Sequence, residues 1–357
     1  MSDFGFKDHR IDSVGNVIGS IGTGPKKLLF DSHLDHVPPG MMINPYSGKV
    51  MDGERFGVRG KVMYGRGACD TKSSVCSMLM ACKALIDLDI KLDGNLTFAG
   101  VVREESGGSL GTKNLIAGQT FDAAIIGEPS DLNIAIGQRG GAFLYLDVKG
   151  LSGHVAQAEH CVNSFEKSID VVDCVRKKVE PRLRKNKKLG TPCLSFTHAK
   201  VQPGFVSIIP DRTIINFDFR YNLKYMPDHL ISDIRHCIKK MESTDPKLNA
   251  KVDYMTNKYD HHEYKEDIPP FYTNPNGPEV NIVKSAVRDV LGYSPHSILW
   301  PFATDGGFVA KKKIITIGLG PGDISFVHGV NEHVKLESVI AASKIYALLA
   351  VKMLGVA

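Results

Sequence analysis

Carboxylates and histidines follow short apolar runs and turn-like segments along this chain. The residues in question are His33 and Asp35, Asp70, Glu104 and Glu105, Glu128, and His328. Imidazole and carboxylate groups without thiolates form a ligand set that suits zinc, with cobalt or manganese as substitutes. Two adjacent carboxylates, Glu104 and Glu105, can divide labour: one binds a cation and the other acts as general base on water. Taken together, these residues predict a di-metal hydrolase.

Each group also has an ordinary interpretation when it is taken alone. On extended backbone, His33 and Asp35 project to the same side, so Asp35 could orient a metal-bound His33, but such pairs also occur in ordinary loops. Asp70 precedes a helix that begins near Lys72, and spacing alone favours a helix cap. Glu104 and Glu105 could form a solvated acidic turn.

The elements that must position these residues are strands and helices of an α/β pattern. Apolar runs at 27–30, 96–102 and 121–126 predict strands, and apolar residues spaced at three and four over 72–88 predict a core-facing helix. Each of the three strands runs into a histidine or carboxylate. Functional groups collect at the carboxyl ends of strands in an α/β sheet, so we expect these side chains to meet there.

The pattern changes after Arg139-Gly140-Gly141. The segments that follow predict, in order, a strand at 142–149, a helix at 163–179, strands at 193–201 and 213–221, a helix at 228–241 and a strand at 250–255. A stretch rich in proline and asparagine, 268–278, reads as a linker. A helix at 279–291, a strand at 314–319 and a helix at 335–354 restore the α/β pattern. We therefore expect an α/β domain in two parts, 1–138 and 263–357, interrupted by an inserted α+β domain at 139–262.

Composition and charge argue against a nucleic-acid-binding protein and against a membrane-spanning one. The chain has 357 residues, 43% hydrophobic and 23% charged residues, and a net charge of +5. Residues 176–188 carry eight basic residues and one acid, so the rest of the chain sums to −2. That segment has no aromatic residue for base stacking, which argues against nucleic-acid binding. No apolar run is long enough to cross a membrane, and the charged N-terminal residues do not form a signal peptide. We expect a cytoplasmic protein.

Seven cysteines are scattered through the chain without a CxxC pair. An odd number without close pairs argues against a disulfide framework and against a thiolate zinc site, and predicts reduced thiols.

The order of the motifs resembles a known family. The segments are HLDHVPPG (33–40), GRGACDTK (65–72), Glu104-Glu105, GEPSDL (127–132), Gly153-His154, IIPD (208–211) followed by an arginine, and the late His328. This series resembles the aminoacylase/carboxypeptidase family of co-catalytic zinc hydrolases, which includes acetylornithine deacetylase, succinyl-diaminopimelate desuccinylase and glutamate carboxypeptidase. The resemblance implies a zinc-peptidase-like three-layer α/β catalytic domain, with an inserted ferredoxin-like α+β domain that serves as lid and in dimerisation.

The resemblance also implies roles for individual residues. His33 and Glu128 would hold one Zn²⁺, Glu105 and His328 the other, and Asp70 would bridge them. The peptide bond from Asp70 to Thr71 would be cis. Glu104 would be the general base, and Asp35 would orient His33. His154 would reach across a homodimer to stabilise the developing oxyanion. The residues implied in substrate binding are Arg220, which would grip a carboxylate, Ser207, where relatives commonly have asparagine, and Asp305 and Gly306.

The resemblance implies hydrolysis of an amide bond in N-acyl amino acids that carry a free carboxylate, with two Zn²⁺ per subunit. An exopeptidase or dipeptidase remains an alternative, because both activities break an amide beside a carboxylate. Val330-Asn331-Glu332 resembles desuccinylase-type members somewhat more. A non-catalytic metal-binding protein would have no need for Glu104 beside Glu105.

Overall fold

The computed structural model describes residues 1–105, 108–259, 262–265 and 267–357. The chain divides into two compact units. The first consists of Met1–Gln138 together with Phe271–Ala357, and the second of Arg139–Pro270. We call them the catalytic unit and the inserted unit.

The catalytic unit begins with alternating strands and helices: β1 (Asp8–Ile11), β2 (Val17–Ile21), β3 (Lys27–His33), β4 (Lys49–Asp52), β5 (Lys61–Tyr64), α1 (Ser73–Asp87), β6 (Asn95–Val101), α2 (Leu110–Gly118), β7 (Ala123–Ile126) and β8 (Ile134–Gln138). The inserted unit contains β9 (Gly140–Lys149), β10 (Gly153–His154), α3 (Ser164–Cys174), β11 (Cys193–Gln202), β12 (Ile208–Ile209), β13 (Arg212–Tyr221), α4 (Pro227–Glu242), β14 (Asn249–Tyr254), β15 (Thr256–Tyr259), β16 (His262–Lys265) and β17 (Asp267–Ile268). The catalytic unit then resumes with β18 (Phe271–Tyr272), α5 (Pro278–Leu291), β19 (Ser297–Trp300), α6 (Gly306–Lys311), β20 (Ile315–Gly318), β21 (His333–Lys335) and α7 (Leu336–Leu354).

The main sheet of the catalytic unit has the strand order β1-β2-β6-β3-β7-β20-β8-β18, and β19 joins it beside β8. Strands β6, β3 and β7 are parallel neighbours. Their carboxyl ends therefore lie at one edge of the sheet. Strand β20 comes from the last part of the chain and lies between β7 and β8.

Helices cover both faces of this sheet because successive side chains of a strand point to opposite faces. On one face, Phe30 packs with α1, α5 and α7, and its ring centroid lies 5.3 Å from that of Tyr346. On the other face, Leu29 packs with α2 and α6. The predicted three-layer α/β fold is confirmed.

The inserted unit contains an antiparallel sheet with the order β11-β13-β9-β14. Helices α3 and α4 share one hydrophobic cluster with this sheet. The order of elements along the chain, strand-helix-strand-strand-helix-strand, is that of a ferredoxin-like unit.

Two expectations about local structure were wrong. Cys174 of α3 and Cys237 of α4 form a disulfide between helices 63 residues apart in sequence, so these two are not reduced thiols. The segment 268–278 is not simply a linker, because Asp267–Ile268 pairs with β9 and Phe271–Tyr272 pairs with β8. For the same reason the inserted unit extends to Pro270, whereas the sequence placed its end at residue 262.

Within the described part of the chain, no helix combines the length and the apolar character that crossing a membrane requires.

Candidate active site and metal centre

Three neighbouring strands deliver site residues to the same edge of the main sheet. His33 is the last residue of β3, Glu104 and Glu105 follow β6, and Glu128 follows β7. Because these strands are parallel, their ends converge, and His33 Nε2 lies 3.6 Å from Glu128 Oε1. Both side chains are almost completely buried.

Asp70 lies at the centre of the cluster. It interrupts a short helical turn, Ala68–Lys72, with φ −124° and ψ 93°, and its bond to Thr71 is cis, as the resemblance implies. One carboxylate oxygen is 3.1 Å from His33 Nε2, and the other is 3.2 Å from His328 Nε2. The helix that follows, α1, has Lys72 as its N-cap residue, and the two Asp70 oxygens face histidines instead. The helix-cap interpretation was therefore wrong.

His328 completes the cluster from the last part of the chain. It has a left-handed backbone conformation, φ 60°, and its Nε2 lies 3.0 Å from Glu105 Oε1. Ligand atoms of His33, Asp70 and Glu105 all lie within 4.8 Å of one another. The structure thus brings together all five residues for which the resemblance implies metal binding.

The pKa values show how strongly these groups interact. Burial alone would lower the pKa of His33, but Glu128 and Asp70 outweigh it and raise the pKa well above its usual value. Hydrogen bonds to Asp70 and Glu105 raise the pKa of His328 to about 10. Protons on the two imidazoles thus compensate the carboxylates in the metal-free protein. Cations would displace those protons, so metal binding would release protons to solvent.

The donor set fits divalent zinc. Imidazole nitrogens and carboxylate oxygens converge, and Asp70 turns one oxygen towards each histidine, as a bridging ligand requires. The nearby thiol of Cys69 instead donates to the carbonyl of Asp323 at 3.2 Å. No thiolate is needed to complete the centre.

Asp35 contacts His33 through its backbone and the two glutamates through its side chain. His33 Nδ1 lies 3.0 Å from the backbone carbonyl of Asp35, whereas the Asp35 carboxylate is 3.6 Å away. The two carboxylate oxygens accept the backbone N–H groups of Glu104, at 3.2 Å, and Glu105, at 3.1 Å. The backbone of Asp35 therefore orients His33, and its side chain holds the segment that carries both glutamates.

Glu104 is half-buried and lies close enough to His33, Glu105 and Asp70 for their charges to interact with its own. Burial raises the pKa of its carboxyl well above the usual value, and the neighbouring Asp305 carboxylate raises it further. A carboxyl whose pKa is raised holds a proton more readily than an ordinary carboxyl, which suits the role of a general base.

Asp305 and Gly306 present no surface to a substrate in this structure. Asp305 is only 2% exposed, and its carboxylate accepts a 2.7 Å hydrogen bond from Thr112 Oγ1. Gly306 is buried in the first turn of α6, where an added Cβ would lie 3.0 Å from the Phe271 ring. The substrate-binding role expected of these two residues is not supported by their positions.

The remaining expected residues, His154, Ser207 and Arg220, lie in the inserted unit. His154 pairs with Ile208, and Val155 N donates to the Ser207 carbonyl at 3.2 Å, so the first two are neighbours. Arg220 lies towards the other end of β13 from Arg212, about 26 Å along the strand at 3.3 Å per residue. The structure does not bring Arg220 together with the other two.

Sequence reasoning overlooked the contacts of two buried residues, Arg66 and Glu332. Glu332 accepts the backbone N–H groups of Cys69 and Asp70 and forms an ion pair with Arg66. The available signal was a charged residue inside each of two motifs that contain metal-ligand candidates.

Comparison with known proteins defines the class. The model of Peptidase family M20/M25/M40 matches residues 29–352, so the chain belongs to this family, which confirms the resemblance. It is a metallohydrolase that acts on amide bonds.

Individual relatives support this assignment. The succinyl-diaminopimelate desuccinylase of Blochmanniella floridana is 28% identical over 344 residues, which is 92% of this chain and 83% of the relative. A tripeptidase from Staphylococcus aureus subsp. aureus Mu50 has a similar fold, with a TM-score of 0.74 and 18% identity over 99% of this chain and 90% of the other. The YXEP protein of Bacillus subtilis, a dinuclear metal-binding peptidase of family M20, gives a TM-score of 0.67 at 17% identity, over 97% of this chain and 88% of that one.

Proposed function

We propose that this protein is a di-zinc deacylase that hydrolyses the amide bond of N-acyl amino acids. The observation that carries the proposal is Asp70, whose two oxygens face His33 and His328. Glu128 would complete the first zinc site and Glu105 the second. The desuccinylase relative, which aligns with 92% of this chain, favours an N-acyl amino acid over a peptide.

The chemistry divides between the cations and the side chains. Two divalent cations supply Lewis acidity, which polarises a carbonyl and lowers the pKa of water. Glu104 takes the proton from the attacking water and returns it to the leaving amine nitrogen. Its raised pKa suits both transfers, since a strongly acidic carboxyl would be a poor base.

Two residues of the inserted unit would act on the substrate. His154 Nδ1 accepts a hydrogen bond from Ala156 N at 3.1 Å, so a neutral ring carries its proton on Nε2 and can donate it to a developing oxyanion. Arg220 would bind the substrate carboxylate. Its guanidinium already contacts Asp218 at 2.8 Å, which orients it and leaves its remaining N–H groups for an anion.

A homodimer would allow His154 and Arg220 to act on the same substrate. His154 and Arg220 lie towards different ends of the inserted unit, so one small substrate would meet them from different copies of the chain. Strand β11 is an edge strand with mostly exposed side chains, and Phe165 and Ile169 of α3 are 42% and 51% exposed. We propose that a second copy covers this face, and that His154 of the partner subunit completes the active site.

A substrate screen tests the proposal. The protein is stripped of metal, reconstituted with Zn²⁺, Co²⁺ or Mn²⁺, and assayed with N-acetyl and N-succinyl amino acids and with dipeptides, with a chelator control. We expect chelator-sensitive release of free amino acid from N-acyl substrates. Faster cleavage of dipeptides would replace the deacylase with an exopeptidase, and turnover that survives the chelator would refute both.

The role of Glu104 is tested separately. Glu104→Gln keeps the shape of the side chain but removes the base, so hydrolysis should fall by roughly 10²–10⁴-fold while two zinc ions still bind. Glu279→Gln, on helix α5, is the matched control and should leave the rate unchanged. Undiminished turnover by the Glu104 variant would contradict the assignment.

A further inference from the structure

We infer that the buried pair Arg66–Glu332 is a positioning device that ties the bridging Asp70 and the ligand His328 to one another. The inference deepens the proposed function, on which it rests. Neither residue is a ligand candidate, and neither contributes a reacting atom.

Glu332 holds the backbone that leads into the bridging residue Asp70. Its side chain is 0% exposed, and Oε1 accepts the N–H of Cys69 at 2.9 Å and the N–H of Asp70 at 3.1 Å. These N–H groups lie where the helical turn is interrupted at Asp70. The first N–H groups of a helical turn have no acceptor within that turn. Glu332 supplies the acceptor for these two.

Arg66 connects Glu332 to the second segment. One terminal nitrogen pairs with Glu332 Oε2, and the other donates to the backbone carbonyl of His328 at 3.2 Å. His328 has a positive φ of 60°, a conformation that a non-glycine residue keeps only when its surroundings hold it. The guanidinium therefore holds the backbone of a ligand in a conformation that needs outside support.

The pairing of strands places the two residues together. Strand β21 pairs with β5, with His333 opposite Tyr64, and Gly65 N donates to the Glu332 carbonyl at 3.2 Å. Glu332 precedes β21 and Arg66 follows β5. A short sheet thus aligns the pair, and the pair in turn aligns the two ligands.

Charge explains why an arginine and a glutamate serve here. A lone carboxylate among Asp70, Glu105 and Glu128 would add to their mutual repulsion. Arg66 neutralises Glu332, so the carboxylate can bind two N–H groups without making the site more negative. The planar guanidinium can contact a carboxylate and a carbonyl together, which the single ammonium group of lysine does less well.

The deciding test is Arg66→Lys, which keeps the buried charges paired but loses the fork geometry. We expect its metal-free form to fold, with an unfolding midpoint near that of the parent. Its zinc affinity, measured by competition with a chromophoric chelator, should fall roughly 10–100-fold. The absorption spectrum of the Co²⁺-substituted protein should also change, because the ligand geometry changes. Arg66→Met should show larger effects of the same kind.

Lys352→Met is the matched control, since it breaks the Lys352–Asp289 ion pair between α7 and α5 in the same unit. It should leave zinc affinity and the Co²⁺ spectrum unchanged. If Arg66→Lys binds zinc like the parent with an unchanged Co²⁺ spectrum, the pair is only structural and the inference is overturned, whatever happens to the unfolding midpoint. If the parent itself binds no zinc, the proposed function fails instead, so the two failures are distinguishable.

Discussion

Replacing Asp35 by asparagine separates two explanations of its role. If the carboxylate mainly orients His33, the substitution should weaken the zinc site formed by His33 and Glu128. If it mainly holds the backbone of Glu104 and Glu105, the substitution should affect the general base and the other zinc site. The backbone carbonyl of Asp35, which bonds to His33 Nδ1, is the same in both proteins.

The magnitude follows from the two hydrogen bonds, at 3.2 Å and 3.1 Å. A hydrogen bond to a charged group contributes roughly 1.5–3 kcal/mol, and we take the lower end because both bonds are long. Asparagine keeps one acceptor but turns its NH₂ group towards the other N–H, so one bond is lost and a donor faces a donor. The lost bond accounts for about 1.5 kcal/mol and the two donors that face each other for about as much again, so the total of about 3 kcal/mol corresponds to about 100-fold in rate or affinity.

The assay combines zinc titration with steady-state kinetics on the best substrate of the screen. For Asp35→Asn we expect kcat/KM to fall by up to about 100-fold. One zinc site should weaken while the other keeps the affinity of the parent. Unchanged kcat/KM, or weakening confined to the site that Glu128 completes, would refute the reasoning and restore the simpler role in orienting His33.

Three further outcomes are expected. In the metal-free protein, Asp70 and Glu105 raise the pKa of His328 to about 10, so this residue stabilises the fold fully below about pH 6.5 and progressively less as the pH rises towards 10. The thermal midpoint should therefore fall over that range, more than in His328→Gln, and the zinc-loaded protein should not show the trend. Thr112 Oγ1 lies between Asp31 and Asp305 and has a single proton to donate, and burial and the Asp305 charge raise the pKa of Asp31. The thermal midpoint of Asp31→Asn should therefore equal or exceed that of the parent, and the difference should grow as the pH rises above 4. A lower midpoint at pH 8 would contradict the idea that two carboxylates compete for the one Thr112 proton. Phe30→Ala empties a fully buried position against Tyr346 and should cost about 3–5 kcal/mol in denaturant unfolding, and a loss below 1 kcal/mol would mean that the core closes around the gap.

Local pattern was sufficient to predict several elements of the catalytic unit, including the strands that lead to the site residues. The apolar runs that end in His33 and in Glu104 are strands β3 and β6, and the helix predicted at 72–88 is α1, Ser73–Asp87. Such elements can be predicted because a buried strand leaves a continuous apolar run, and an amphipathic helix leaves apolar residues spaced at three and four. The meeting of their ends follows from one further rule, that parallel strands align their carboxyl ends.

Contacts between distant segments left no such signal. Arg66 and Glu332 are 266 residues apart, and their pairing depends on the alignment of β5 with β21. The disulfide was missed for a similar reason, because its cysteines lie on two helices whose packing is decided by the whole inserted unit. The hydrogen bonds from Glu104 and Glu105 to the Asp35 carboxylate were not predicted, because the neighbouring motif suggested only His33 as its partner.

The discontinuous catalytic unit has a consequence for biosynthesis. Strand β20, which lies between β7 and β8, is translated after the whole inserted unit, as are His328 and Glu332. Since domains generally fold as units during synthesis, the inserted unit can fold on the ribosome while the main sheet still has a gap at its centre. Four ligand candidates are then present without His328, and Asp70 lacks the carboxylate that holds its backbone. The metal centre is therefore completed late, after the segment that carries His328 and Glu332 has left the ribosome.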